Sequence, residues 1–319
     1  MSTLHFVAVD LGGTQIRAAR YTADAVQEAR VAMATGASDG VEFVMRRIKS
    51  AIRQVWPMDE QVSAIGIGAP GPVDFHQGVL RFAPNLPGWE NVPLRDELLD
   101  TFDIPVFLGN DADVAGLGEH RFGAGQGVSD MIYMTISTGV GGGMIFDNRL
   151  FTGGQGLGGE IGHMAVDPHG PRCNCGNIGC LEVMASGTAI ARRARERLEA
   201  GESSQLREMV AGDLDRITAK EVSDAGAAGD ELALALFEEA GAYLGSAIVS
   251  LMYMLNPALF VLGGGVTHAG DLIFDPIWKI VKERAPQVYQ ERTKIVKAEL
   301  GQDVGLWGAL ALCLMELRL

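Results

Sequence analysis

Three cysteines and one histidine in the middle of the chain have the composition and spacing of a metal site. Cys173, Cys175 and Cys180 follow the pattern C-x-C-x4-C, and His163 precedes them. Three thiolates and one imidazole form the closed tetrahedral ligand set of structural zinc. Two alternatives are three free buried thiols beside a surface histidine, and a disulfide between two of the cysteines. Polar neighbours such as Asn174 favour the metal site.

Two glutamates, Glu160 and Glu182, flank this cluster. A metal with four protein ligands has no open coordination position, so it would fix the loop rather than catalyse a reaction. Held rigidly, Glu160, His163 and Glu182 could accept hydrogen bonds from hydroxyl groups. The stretch therefore predicts a site for a polyhydroxylated ligand.

A glycine turn near the start of the chain has features of a phosphate site. Asp10 ends an apolar strand predicted over residues 4–10, and the turn Gly12, Gly13, Thr14 leads into a second strand over 15–21. Turn amides and the Thr14 hydroxyl could hold phosphate oxygens, and Asp10 could hold Mg2+ through water. An ordinary hairpin turn is the alternative when this stretch is taken alone.

The same strand, glycine turn and strand recur from residue 131, with Thr138 and Gly139 in the turn. The repetition predicts an internal duplication, in which two α/β halves hold a nucleotide at their turns.

Two further strand ends carry candidate residues. A strand over 104–108 leads to Asn110 and Asp111, ahead of a helix predicted over 112–121. Such junctions bind ligands in α/β sheets, although Asp is also a common helix N-cap. A strand over 256–262 leads to Gly263, Gly264, Gly265 and Val266, where no side chain would keep an adenine or ribose from the main chain. A flexible turn is the alternative.

A third candidate is the loop Pro84–Trp89. Asn85 could bind hydroxyl groups while Trp89 supplies an apolar face, or the segment is a surface turn. Other helices are predicted over residues 39–56, 94–101, 186–200, 203–210, 218–226, 230–255, 271–285 and 304–317.

Composition limits the partners of the chain. It has 319 residues and a net charge of −14, which disfavours nucleic acid and anionic membranes because both need a basic surface. The N-terminus lacks the features of a signal peptide, and the apolar run over 242–255 is short for a bilayer span. We expect a cytoplasmic protein.

Taken together, these motifs resemble the ROK family of sugar kinases and repressors. The resemblance rests on residues 10–14, the Gly-Ala-Pro-Gly-Pro-Val loop at 68–73, residues 110–112, 138–143 and 160–163, the cysteine cluster through Glu182, and residues 263–266. It implies an actin-like, ribonuclease-H-like duplicated α/β fold with an active-site cleft between two lobes. We expect a smaller lobe of residues 1–117 and 302–319 and a larger lobe of 118–301.

The resemblance also implies a role for each motif. Asp111 would be the general base, and the sugar would be bound by Asn85, Asn110, Asp111, Glu160, His163 and Glu182. ATP and Mg2+ would be held by Asp10, Gly12, Gly13, Thr14, Thr138, Gly139, Gly263, Gly264, Gly265 and Val266. Zinc would be held by His163, Cys173, Cys175 and Cys180. Asp113 departs from the family, which usually has Asn there.

The segment over residues 84–93 resembles the bacterial glucokinases of this family most, which implies glucose as substrate. Another hexose (fructose, mannose, N-acetylmannosamine or N-acetylglucosamine) and a non-catalytic sugar sensor are the alternatives. The family's repressors carry an N-terminal DNA-binding domain, for which we expect no room before Asp10. The resemblance implies a homodimer or homotetramer.

Overall fold

A computed structural model describes residues 4–58, 61–83 and 85–319, so Pro84 of the predicted sugar loop lies outside it. Internal contacts divide the chain into two compact units. The first comprises the chain up to Ser129, together with Gly143–Gly159 and Ala298–Leu319. The second comprises Asp130–Gly142 and Glu160–Lys297.

The described residues form 13 strands and 11 α-helices. The strands are β1 (His5–Leu11), β2 (Gln15–Thr22), β3 (Gln27–Ala34), β4 (Val62–Ala69), β5 (Val73–Asp74), β6 (Val79–Phe82), β7 (Glu90–Val92), β8 (Val106–Asn110), β9 (Met131–Ile136), β10 (Val140–Phe146), β11 (Arg149–Leu150), β12 (Leu259–Gly263) and β13 (Lys294–Lys297). The helices are α1 (Val41–Val55), α2 (Leu94–Phe102), α3 (Asp111–Phe122), α4 (Leu181–Ala185), α5 (Gly187–Glu199), α6 (Leu206–Met209), α7 (Ala219–Ala227), α8 (Glu231–Leu255), α9 (Asp271–Arg284), α10 (Gln287–Gln290) and α11 (Val304–Glu316).

Two five-stranded sheets repeat one topology. The first has the order β3-β2-β1-β4-β8, and the second has the order β11-β10-β9-β12-β13. In both sheets, a hairpin forms one side. On the other side, two strands run parallel to the first strand of the sheet: β4 and β8 to β1, and β12 and β13 to β9. The α/β class and the duplication predicted from the glycine turns are confirmed.

Strand β1 lies in the middle of the first sheet, and its side chains are apolar on both faces. Phe6, Val7, Ala8 and Val9 are fully buried, as expected for a strand that is covered on both sides. Helix α1 covers one face and buries Val44, Ile48, Ala51, Ile52 and Val55, which recur at the helical period. Helix α11 packs against β1 and β4, and also against α3. This packing fixes the positions of Asp10, near the end of β1, and of Asn110, at the end of β8.

One segment differs from its prediction. A small sheet with the order β5-β6-β7 flanks the predicted loop, and no strand was predicted there. Trp89 is 1% exposed and lies in the core of the first unit, so the prediction that it supplies an apolar face to a ligand is wrong. Trp89 lies in a short polar turn, and for this reason the sequence did not indicate that it is buried.

Helix α8 is long and apolar enough to cross a membrane by length and composition alone. However, 61% of its most apolar stretch is buried inside the protein. This is the burial of a core helix.

Candidate active site

The first glycine turn lies at the end of β1 in the first unit. The Gly12 N–H donates to the Gln15 carbonyl at 3.0 Å, and Thr35 fixes the turn from outside by donating its hydroxyl to Gly12 and its N–H to Thr14. Among the described residues, no main-chain carbonyl accepts from the N–H groups of Gly13 and Thr14. These two donors are those that a phosphate would need.

The carboxylate of Asp10 lies beside this turn in a network of charges. Arg17 contacts it at 2.7 Å, Asp303 lies 3.6 Å from Arg17, and Arg30 contacts Asp303 at 2.7 Å. Burial raises the pKa of Asp10, while Arg17 lowers it and Asp303 raises it. Gly305, at the start of α11, packs directly against the carboxyl group. Asp10 is therefore held in place, with Arg17 as a direct counter-ion.

Asn85 lies next to the same turn. A Cβ atom built on Gly13 would lie 2.8 Å from the Cβ of Asn85, so only glycine leaves room for this approach. The turn and the predicted sugar-binding asparagine are thus neighbours within the first unit.

Asp111 is the first residue of α3, and its side chain is exposed. The N-cap is Asn110, whose side-chain oxygen accepts hydrogen bonds from the N–H groups of Ala112 and Asp113. The alternative interpretation of Asp111 as the cap is therefore wrong. Asn110 also donates to the Gly71 carbonyl at 2.9 Å, so it ties the Pro-Gly loop to the helix. The helix N-terminus favours negative charge on Asp111.

Asp113, the departure from the family pattern, is 4% exposed and lies inside the first unit. Gly143 packs closely against its main chain. Its side chain thus belongs to the interior, not to the surface on which Asp111 lies.

In the second unit, the predicted metal ligands lie together. The ligand atoms of His163, Cys173, Cys175 and Cys180 are all within 4.8 Å of one another. The Sγ atoms of Cys175 and Cys180 are 3.7 Å apart, and Cys173 Sγ is 3.8 Å from His163 Nδ1. Ligands around tetrahedral zinc are separated by about 3.6–3.8 Å. The residues therefore fit a zinc ion.

The backbone of this loop explains the convergence. Gly176 and Gly179 have φ angles of 95° and 62°, in the left-handed region that favours glycine. At Gly179 a side chain would also collide with the Asp167 carbonyl. Isolated bridges between Ala165 and Cys180 and between Arg172 and Ile178 bring the segment that follows His163 back to the cysteines. All four cysteines are unpaired, so the disulfide alternative is not formed.

Without a cation the buried thiols resist ionisation. Burial raises the pKa of the Cys180 thiol to about 12 and also raises that of Cys173. A bound metal would supply the missing positive charge, since zinc binds thiolates.

The two predicted sugar-binding glutamates lie around the loop. Desolvation raises the pKa of Glu160, the nearby His163 lowers it, and Glu182 raises it, so the three side chains share one environment. Glu182, in the first turn of α4, accepts a hydrogen bond from the Val140 N–H at 3.2 Å. This environment is rich in acceptors for hydroxyl groups.

The second glycine turn, Ser137–Gly139, lies against Glu182. A Cβ on Gly139 would overlap the Glu182 carboxylate, so glycine is required for this approach. The start of α5 fixes the turn, because Gly187 donates its N–H to Ser137 and Thr188 donates its hydroxyl to Thr138.

A cavity of about 690 Å³ opens beside this turn within the second unit. Thr138, Gly265 and Val266, three of the residues predicted to bind the nucleotide, line it. Gly263 and Gly264 are not among its lining. Gly263 packs against Tyr133, and Gly264, with φ 87°, packs against the Ile136 main chain.

Other lining residues were not predicted from the sequence. They include Arg195, Lys220 and His268, from α5, α7 and the turn after β12. Single charged residues on amphipathic helices carry no motif, so only the fold identifies them.

Comparisons with known proteins agree with this arrangement. A model of the ROK family matches residues 6–316. A glucokinase of Thermotoga maritima is 38% identical, over 98% of this chain and 98% of its own. A ROK glucokinase of Streptomyces griseus, solved with glucose and AMPPNP, has a TM-score of 0.82 and 36% identity, covering 97% of this chain and 98% of its own.

Regulators match as well. A DNA-binding transcriptional dual regulator of Escherichia coli is 34% identical over 79% of this chain, which spans 60% of the regulator. The family model, the similar fold and the end-to-end similarity lead to one conclusion: the chain belongs to the ROK family.

Proposed function

We propose that this protein is a glucokinase, which transfers the γ-phosphoryl group of ATP to the 6-hydroxyl of glucose. The observation that carries the proposal is the end-to-end similarity to bacterial glucokinases in a chain whose Asp111 lies exposed at the start of α3. A carboxylate at a helix N-terminus is suited to accept the proton of an attacking hydroxyl.

Phosphoryl transfer passes through a loose transition state, so positioning and charge neutralisation matter more than a strong base. Asp111 would orient the hydroxyl and take its proton as the new P–O bond forms. Asn85, Asn110, Glu160, His163 and Glu182 would hold the sugar. Asn110 also has a structural role as the cap of α3, so its replacement would disturb Asp111 as well.

The main-chain donors of both glycine turns would bind the phosphates. The 690 Å³ cavity would hold the nucleoside, with Gly265 and Val266 in its wall. Asp10 would hold Mg2+, which neutralises phosphate charge when it is bound. Arg17, the counter-ion of Asp10, would also keep the Asp10 carboxylate in position, because the two side chains lie 2.7 Å apart.

Zinc would be held by His163, Cys173, Cys175 and Cys180 and would fix the loop that carries Glu160. With four protein ligands it would not contact substrate, and Nδ1 of His163 faces the cluster. The other ring nitrogen of His163 would then be available to the sugar.

Replacing Asp111 tests the proposal. Asp111→Asn should lower the turnover of glucose by about 10³-fold, because the proton acceptor is lost, and should leave AMPPNP affinity unchanged. A coupled ADP assay and calorimetry measure the two quantities. Asp100→Asn, an exposed change on α2, is the matched control and should have no effect. Near-normal turnover of the Asp111 variant would contradict the proposed role.

The sugar itself needs a separate measurement. Glu160 and Glu182 would read hydroxyl groups that several hexoses share, so we expect some turnover of other hexoses. A panel of glucose, mannose, fructose, N-acetylmannosamine and N-acetylglucosamine in the same assay should give the highest kcat/KM for glucose. A higher value for another hexose would replace glucose in the proposal.

A further inference from the structure

A second cavity, of about 550 Å³, lies within the first unit, between the ends of α3 and α11 and the turn that precedes β11. Its floor is apolar, with Leu117, Ala311 and Leu314 buried. Three arginines line its wall: Arg121, Arg149 and Arg318. We name it the arginine cavity.

The charge of this cavity is opposite to that of the chain. Acidic residues outnumber basic ones by 40 to 26, yet no Asp or Glu lines the arginine cavity. The C-termini of two helices contribute about half a negative charge each, and a carboxylate on Leu319, the last residue of the sequence, would contribute one more; the three guanidinium groups exceed this sum. The local field is therefore positive.

Two of the arginines are available to a ligand. Arg121 is already engaged, because it donates to a main-chain oxygen of Leu319 at 2.8 Å. Arg149 and Arg318 are exposed, and among the described residues neither side chain forms an ion pair or a hydrogen bond. Guanidinium groups in this state bind phosphate and carboxylate groups in a bidentate manner.

The backbone fixes both arginines in place. Arg318 has φ 56°, a left-handed conformation that is strained for a residue other than glycine, and the N–H of Leu319 closes the turn onto Leu314. Arg149 follows a turn with Asn148 at φ 60°, whose N–H donates to Ser129 at 3.0 Å. The fold thus sets the position of the main chain from which each arginine side chain extends.

We propose that the arginine cavity binds a small organic oxyanion, with its phosphate or carboxylate group on Arg149 and Arg318 and its apolar part on the floor. The proposal uses none of the residues assigned to phosphoryl transfer, so its test does not depend on the proposed function.

Arginine modification tests the site directly. Phenylglyoxal labels accessible arginines, and peptide mass spectrometry measures the rate at each position. Glucose 6-phosphate, phosphoenolpyruvate and citrate are added separately, each at about 5 mM. Chloride holds the ionic strength constant across the samples. At least one should slow the labelling of Arg149 and Arg318 by about fivefold or more while Arg292, an exposed arginine of the second unit, is unaffected.

The probes separate the two anion classes. Protection by the phosphorylated probes alone assigns a phosphate ligand, and protection by citrate alone assigns a carboxylate ligand. No protection by any probe, or equal protection of Arg292, would overturn the proposal. The double variant R149Q/R318Q provides a second measurement: calorimetry of the protective probe should show at least about a tenfold loss of affinity. An unchanged affinity would also overturn it.

Discussion

The two glycine turns have the same place in two sheets of the same topology, but they are held and charged differently. The first, after β1, has the carboxylate of Asp10 beside it in a network with Arg17, Asp303 and Arg30. The second, after β9, is fixed by neutral hydrogen bonds from Gly187 and Thr188. The two turns thus share a backbone, and each has a carboxylate beside it, but Asp10 lies in a network with arginines, whereas Glu182 accepts a hydrogen bond from the Val140 N–H.

The turns also share a feature. In each, a glycine lets a predicted sugar-binding side chain approach the turn: Asn85 against Gly13, and Glu182 against Gly139. In each unit, a turn predicted to bind phosphate is therefore in close contact with a side chain predicted to bind the sugar.

The charge difference predicts the largest effect. Asp10→Asn should lower turnover by about 10²-fold or more, because the carboxylate proposed to hold Mg2+ is lost. Thr138→Ala removes one hydroxyl from the second turn and should lower it by about tenfold at most. The coupled ADP assay measures both variants. Equal losses would show that the two turns do not differ in the way described.

The metal loop belongs to the second unit alone and predicts the next effect. Cys175→Ala should release the metal and weaken glucose binding by about 10- to 100-fold, since displacement of the binding groups by about 1 Å is costly. Metal content and calorimetry measure the two quantities.

Cys313→Ala is the matched control for the cysteine change. Cys313 is buried in α11, where burial raises its pKa, and it lies outside the cluster. This variant should keep the full metal content. Unchanged glucose affinity in a metal-free Cys175→Ala protein would show that the loop needs no metal to hold the sugar.

The shared glycine contacts predict a smaller effect. Gly13→Ala should displace Asn85 and Gly139→Ala should displace Glu182, each raising the KM for glucose by about tenfold. Gly154→Ala is the control, because its Cβ would meet nothing within 4 Å. If either turn variant kept the KM of the unchanged protein, the corresponding contact would not position the sugar.

The smallest effect concerns pH and the first unit. Burial lowers the pKa of His120, whose Nε2 lies 2.9 Å from the Val128 carbonyl. The unfolded chain takes up the proton first, at about pH 6.5, so stability is full above that pH and falls as the pH drops towards the lower folded pKa. Unfolding temperatures at pH 7.5 and 5.5 should therefore differ more for the unchanged protein than for His120→Gln. An equal difference would contradict this.

Much of the fold was predictable because its signals are local. Apolar strands ending at Asp10 and near Asn110 gave the first sheet, and repetition of the glycine turn gave the second. The metal cluster was predictable because glycines and cysteines at short spacing leave few other solutions. The roles of Asp111, Glu160 and the other site residues stay predictions.

The rest depended on contacts between distant parts of the chain. Trp89 lies in a turn-like sequence between β6 and β7, yet it is buried in the core of the first unit. Glu119 is fully buried and accepts hydrogen bonds from the N–H groups of Glu299 and Leu300. No spacing in the sequence links residues so far apart. Arg195 and Lys220 likewise line the 690 Å³ cavity through contacts that the sequence does not indicate.

Helix α11 has a consequence for biosynthesis. It packs against β1 and α3, places Gly305 against Asp10 and places Gly308 against the Val114 main chain. A growing polypeptide therefore has no finished first unit until these late residues leave the ribosome, whereas most of the second unit has already been translated. Asp10 and Asp111, the carboxylates proposed to act in phosphoryl transfer, reach their final surroundings only after α11 is made, so premature termination within α11 would leave an incomplete first unit on a chain whose cysteine loop is already translated.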